Sequence, residues 1–143
     1  MNWYSFWQSH RGSVICVRDG AWVHKGILYG VEIAGGEMVV WIADNNPVRR
    51  VPGYRTLQDF AHGKDVWIER PVQSWQESQA IIQRVHQQIA CGCCYDLLTF
   101  NCEHFVSAAL GLEPESKQLQ GYGLLAACVV GAFVLANVQS ARR

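Results

Sequence analysis

Neither sign of charge prevails in this sequence, and charge is sparse altogether. Charged residues make up 17% of 143 residues, and 12 Lys and Arg are balanced by 12 Asp and Glu. A formal net charge of zero gives no long-range field toward a polyanion. No basic run with interleaved aromatics suggests a groove reader, so a nucleic-acid partner is not expected. A secretory leader is not expected either: Met1-Asn2-Trp3-Tyr4-Ser5-Phe6-Trp7 has neither a basic n-region nor an apolar h-region. Internal repeats and low-complexity stretches are absent too. Half the residues are hydrophobic, which excludes a disordered chain. The length suits one domain with a real core and is too short for two.

Cysteine is not scarce. The six are Cys16, Cys91, Cys93, Cys94, Cys102 and Cys128. Disulfide frameworks belong to small secreted chains with spread-out cysteines, whereas three of these crowd into Cys91-Gly92-Cys93-Cys94. The expectation is reduced thiols in the cytosol. His86, Cys91, Cys93 and Cys94 have the ligand types zinc takes. They lack paired Cys-x-x-Cys knuckles, so neither a metal nor any other cofactor is expected.

The pattern along the chain is α+β. Val14-Ile15-Cys16-Val17-Arg18 reads as a strand closed by the turn pair Asp19-Gly20. Ala21 to Val31 is the next extended run, with His24 near its start. Gly35-Gly36 turns the chain into Met38-Val39-Val40-Trp41-Ile42, which Asn45-Asn46-Pro47 ends. Short connections of this kind predict an antiparallel meander. Val66-Trp67-Ile68 reads as a further strand before Pro71. From Ser74 to Ile89 the period becomes helical: Ser74 and Glu77 have capping-box spacing, and Ile81, Ile82, Val85 and Ile89 form one apolar face. A second helix begins after Asn101, presents Phe105, Val106 and Leu110, and stops at Gly111.

Leu124 to Val138 carries no charge, is apolar on every face, and precedes Arg142-Arg143. At about 1.5 Å per helical residue it falls short of the roughly 30 Å hydrocarbon layer unless Gly121 to Gly123 are drawn in. The expectation is a hydrophobic helix that holds the chain at a membrane; a helix packed in the domain or an oligomer is the alternative. This divides the chain into a domain over 1–118 and a hydrophobic segment over 119–143. The oligomeric state is left open.

A thiol nucleophile needs an imidazole within hydrogen-bond reach. A helix N-terminus favours the thiolate through its free N–H groups and dipole. Asn101 is a good N-cap, which puts Cys102 in the first turn. The N–H groups around it are candidates for an oxyanion hole. Against this stands the plain reading of a helix-start cysteine as a small buried residue.

Asn101-Cys102-Glu103-His104-Phe105-Val106 resembles the signature of the lecithin retinol acyltransferase-like family, which includes the H-Ras-like suppressor phospholipase/acyltransferases. The resemblance extends to Ile81-Ile82-Gln83-Arg84, to Tyr95-Asp96-Leu97-Leu98, to Gly12-Ser13-Val14-Ile15 and to Trp22-Val23-His24-Lys25-Gly26-Ile27. It implies a circularly permuted papain-like (NlpC-type) fold. It also implies that Cys102 accepts the acyl group of a phospholipid or other acyl lipid as a thioester, with His24 as base. Many members carry a C-terminal membrane anchor, which implies placement on the cytoplasmic face of a membrane.

One position departs from the family pattern. A second histidine usually orients the first, and counting along the next strand puts Trp41 there. An indole N–H donates but does not accept; Asp44 or a backbone carbonyl are the other candidates. Glu103 and His104 read as structural, and His10, His62 and His86 as solvated. Two further functions stay open: an NlpC-type amidase or cysteine peptidase, and a degenerate binding or membrane-remodelling protein.

Overall fold

A computed structural model describes residues 2–92, 94, 96–97, 100–113, 118 and 120–121. Helix α1 (Trp3–Ser9) precedes strands β1 (Val14–Asp19), β2 (Trp22–Ala34), β3 (Glu37–Asn46) and β4 (Val51–Thr56). Helix α2 (Leu57–Ala61), strand β5 (Val66–Arg70), and helices α3 (Trp75–Cys91) and α4 (Cys102–Ala109) follow. The strands form one antiparallel sheet in the order β4-β3-β2-β1-β5. The expected α+β meander is present, with β5 added on the free side of β1.

Turn chemistry sets the register. Asp19 pairs with Trp22, leaving Gly20 and Ala21 as the loop, and Gly20 adopts φ 62°. Ala34 pairs with Glu37 across Gly35 and Gly36, whose φ values are 61° and 85°. Two consecutive positive φ values suit a tight hairpin whose twist matches the strands, and glycine adopts them without strain. The third run extends further than its sequence suggests: β3 continues through Asn45 and Asn46 before turning. Asn46 Oδ1 then accepts the N–H groups of Val48 and Arg49 at 2.6 and 3.1 Å and shapes the turn into β4.

Successive side chains alternate between the sheet faces, so β1 serves two cores. Val14 and Cys16 join Ile27, Ala43, Ile81, Ile82, Val85, Phe105, Val106 and Ala109 beneath α3 and α4. Ile15 and Val17 join Leu28, Val40, Ile42 and Phe60, with Trp7 packed alongside. The helical faces read from sequence are the ones buried, with Ile89 and Leu110 at the margin. Ser74 Oγ caps α3 by accepting Glu77 N–H at 3.1 Å, while the Glu77 carboxylate reaches back one residue further, to Gln73 N–H at 2.6 Å.

No helix among the described residues is long and apolar enough to cross a membrane. The stretch Leu124–Val138, expected to form the hydrophobic helix, lies outside the described residues.

Candidate active site

The site lies where the sheet parts. β2 pairs with β3 only from Ile27 and Ala43 onward. Before that point the Trp22–Gly26 arm of β2 continues on β1 alone, and Asp44 to Asn46 of β3 continue on β4 alone. The chain leading into α4 is tied to one arm of this gap, where Asn45 Nδ2 donates to Phe100 C=O at 2.7 Å.

His24 and Asp44 face each other from the two arms. His24 Nε2 is 2.6 Å from Asp44 Oδ2, and the two side chains are 15% and 2% exposed. Arg55, 7% exposed, donates through Nη2 to the same Asp44 oxygen and lies 3.2 Å from His24 Nε2. It comes from β4, opposite Ile42, and its guanidinium sits 5.6 Å from the Phe60 ring centroid. The Phe60 ring packs on the imidazole at 5.2 Å. Gly26 makes room for that ring. It lies two positions from His24 on the same face, and a Cβ there would be 2.7 Å from Ile42 Cγ2 and 3.1 Å from Phe60 Cε2.

Cys102 begins α4, and Asn101 is its N-cap as the sequence predicts. Asn101 Oδ1 accepts the N–H groups of Glu103 and His104 at 2.8 and 3.2 Å. His104 Nδ1 returns the favour by accepting Asn101 N–H at 3.1 Å, closing a capping box with histidine at the third position. His104 is therefore occupied and buried. Glu103 is buried as well, with Lys25 Nζ 3.3 Å from its carboxylate. The capping box also narrows the expected oxyanion hole. The Glu103 and His104 N–H groups are taken by Asn101, and the Cys102 N–H is the first-turn donor that the cap leaves alone.

Cys102 is a free, half-buried thiol that lines the same cleft as His24 and interacts electrostatically with it. Burial works against the charged imidazole, but the hydrogen bond to Asp44 and the nearby Cys102 outweigh it and push the His24 pKa up to about 9. Burial, followed by the nearby Glu69 carboxylate, pushes the Cys16 pKa up to about 12, so that thiol stays protonated. His24 and Cys102 line a cleft of about 320 Å³ whose wall is largely apolar, including Val17, Trp22, Val23, Val48, Phe60 and Leu97.

Trp41 is not at this site. Its Nε1 donates to Glu32 at 3.0 Å, and it pairs with Gly30 of β2. The strand between Gly30 and His24 spans about 20 Å at roughly 3.3 Å per residue. Trp41 and Asp44 also fall on opposite faces of β3, because the pleat alternates. Counting along a sequence cannot see that register, so of the two side chains weighed as partners for His24 it is Asp44 that reaches it. Arg55, Phe60 and Gly26 were not legible in advance. Val51-Pro52-Gly53-Tyr54-Arg55-Thr56 has no apolar alternation to announce a strand.

His10 is half-buried and hydrogen-bonds Phe6 C=O at 2.8 Å, whereas His62 and His86 are exposed. His86 Nε2 lies 3.1 Å from the Tyr29 hydroxyl. Cys91 and Cys94 are exposed, and no group of three or more potential metal-ligating side chains occurs among the described residues. Cys93 lies outside those residues.

No curated protein matches the chain. The family model described as lecithin retinol acyltransferase matches residues 8–111, a span that runs from α1 through the end of α4 and includes His24, Asp44, Asn101 and Cys102. The chain belongs to the lecithin retinol acyltransferase family.

Proposed function

We propose that this protein is a thiol-dependent lipid acyltransferase or phospholipase A-type hydrolase, with Cys102 as nucleophile, His24 as base and Asp44 as the residue that orients His24. Membership of the family points to acyl transfer or hydrolysis on lipid substrates in general. The observation that carries the finer reading is that Cys102 and His24 line one cleft, with the thiol at a helix start and the imidazole Nε2 held by the buried carboxylate of Asp44. The order along the chain, histidine strand before cysteine helix, is that of a permuted papain-like arrangement.

In this mechanism His24 takes the Cys102 proton, and the thiolate attacks the carbonyl carbon of an acyl ester. The Cys102 N–H supplies one donor to the oxyanion. As the carbon–oxygen ester bond breaks, the leaving alkoxide takes the proton from His24. Water, an amine or a hydroxyl then gives a proton to His24, attacks the thioester and releases the Cys102 thiolate. Asp44 keeps Nε2 occupied and stabilises the imidazolium between the two transfers. Arg55 balances the buried carboxylate, so the assembled thiolate, imidazolium, carboxylate and guanidinium sum to zero charge.

The apolar cleft favours an acyl chain over a peptide, which sets the amidase reading second. The degenerate reading drew on Trp41, and the position of Asp44 beside His24 supports an enzyme instead. The stretch Leu124–Val138 would hold the protein at the cytoplasmic face of a membrane. Purified protein is expected to hydrolyse phospholipid in mixed vesicles, and Cys102→Ala and His24→Ala are each expected to abolish it. Undiminished hydrolysis by Cys102→Ala rejects this function.

A further inference from the structure

The Trp22–Gly26 arm of β2 carries the catalytic histidine and has no β3 partner along its length. Exposed strand edges leave unpaired N–H and C=O groups, and an arm held on one side only is free to shift. At Val23 another group occupies that edge. Val23 N–H donates to Gln118 Oε1 at 2.8 Å, and Gln118 Nε2 donates to Val23 C=O at 2.8 Å. The pair reproduces the two-bond exchange of an antiparallel bridge with a side-chain amide in place of a strand. The main-chain N–H of Gln118 donates to Glu103 Oε2 at 3.0 Å.

We propose that Gln118 is a positioning residue of the active site: its amide substitutes for the missing β3 partner of the arm that bears His24, and its main chain ties that arm to the start of the helix that bears Cys102. Val23 adjoins His24 in the chain, and Glu103 adjoins Cys102. Lys25, on the other side of His24, hydrogen-bonds Glu69 at 2.9 Å and also lies 3.3 Å from the same Glu103 carboxylate. The histidine is thereby held from both neighbours, and both holds converge on the residue after the nucleophile. A planar amide carries a donor and an acceptor side by side, which the two Val23 groups require. A carboxylate of the same shape would accept from Val23 N–H but would face Val23 C=O with nothing to donate.

This inference rests on the reading of Cys102 and His24 as a working pair, and the test separates the two. The full chain is alkylated with iodoacetamide from pH 5 to 10, and the adduct on Cys102 is quantified by site-mapped mass spectrometry. His24 is titrated by NMR in the same samples, and melting is recorded for each variant. In the wild type, Cys102 alkylation is expected to carry a step set by His24 that His24→Ala lacks. Gln118→Ala is expected to move that step at least one pH unit toward the ordinary histidine range, with alkylation at neutral pH slowed about tenfold. Gln118→Met, which keeps the length and removes donor and acceptor without adding charge, is expected to move it the same way, and it serves if Gln118→Ala does not fold. A lowered melting temperature with an unmoved His24 step would make Gln118 merely structural and overturn the proposal. A wild-type profile identical to that of His24→Ala would instead overturn the pair itself, and this inference with it.

Discussion

Asp44 Oδ2 lies 2.6 Å from His24 Nε2, inside the part of the sheet where β2 and β3 no longer pair. The contact is between side chains on diverging strands, so it exists only in the folded sheet. It fixes which ring nitrogen remains for Cys102. Asp44→Asn keeps the size of the side chain and removes its charge. The His24 pKa is expected to fall from about 9 toward its ordinary value of 6.5, and kcat to fall at least tenfold, as expected when an imidazole loses its orienting carboxylate. NMR titration of His24 and steady-state kinetics check the two effects together.

The raised His24 pKa also predicts how stability varies with pH. A group that binds its proton more tightly when folded contributes its full stabilisation below the unfolded pKa and loses it as pH rises through the folded one. For His24 the loss runs from about 6.5 to about 9. Urea unfolding across that window is expected to show stability declining with pH and then levelling off. His24→Ala is expected to remove this component of the decline.

Gly26→Ala is expected to damage the site without touching a reacting group. Its Cβ would meet Ile42 Cγ2 at 2.7 Å, Ala43 C=O at 3.0 Å and Phe60 Cε2 at 3.1 Å. Displacing Phe60 removes the ring that packs on the imidazole. Overpacking of this kind costs about 1–3 kcal/mol, and thermal melting with an activity assay would show both losses.

Trp41→Phe is expected to leave activity within about twofold, since the indole donates to Glu32 away from the cleft. A loss as large as that of Asp44→Asn would return Trp41 to the site.

What was readable in the sequence follows from how local each signal is. The hairpins rest on Gly20 and on Gly35-Gly36, and the helix start on Asn101. Each is a few residues acting on their own backbone, so pattern alone found them. Cys102 and His24 came from motif resemblance, which reports residues but not the register between them. Asp44 was one of several candidates and could not be preferred, because the choice depends on the pairing of Trp41 with Gly30 and on the pleat. Arg55, Phe60 and Gln118 act across strands or from distant segments. No periodicity links them to His24.

The central claim is that Cys102 carries an acyl group, and the most direct measurement is intact mass spectrometry after incubation with mixed phospholipid vesicles. Site mapping is essential, because Cys91 and Cys94 are exposed thiols, while Cys16 is buried and held protonated. The account predicts an added fatty-acyl mass on Cys102 that is absent from Cys102→Ala. A Cys102 that never acquires acyl mass while lipid is nonetheless hydrolysed would contradict it.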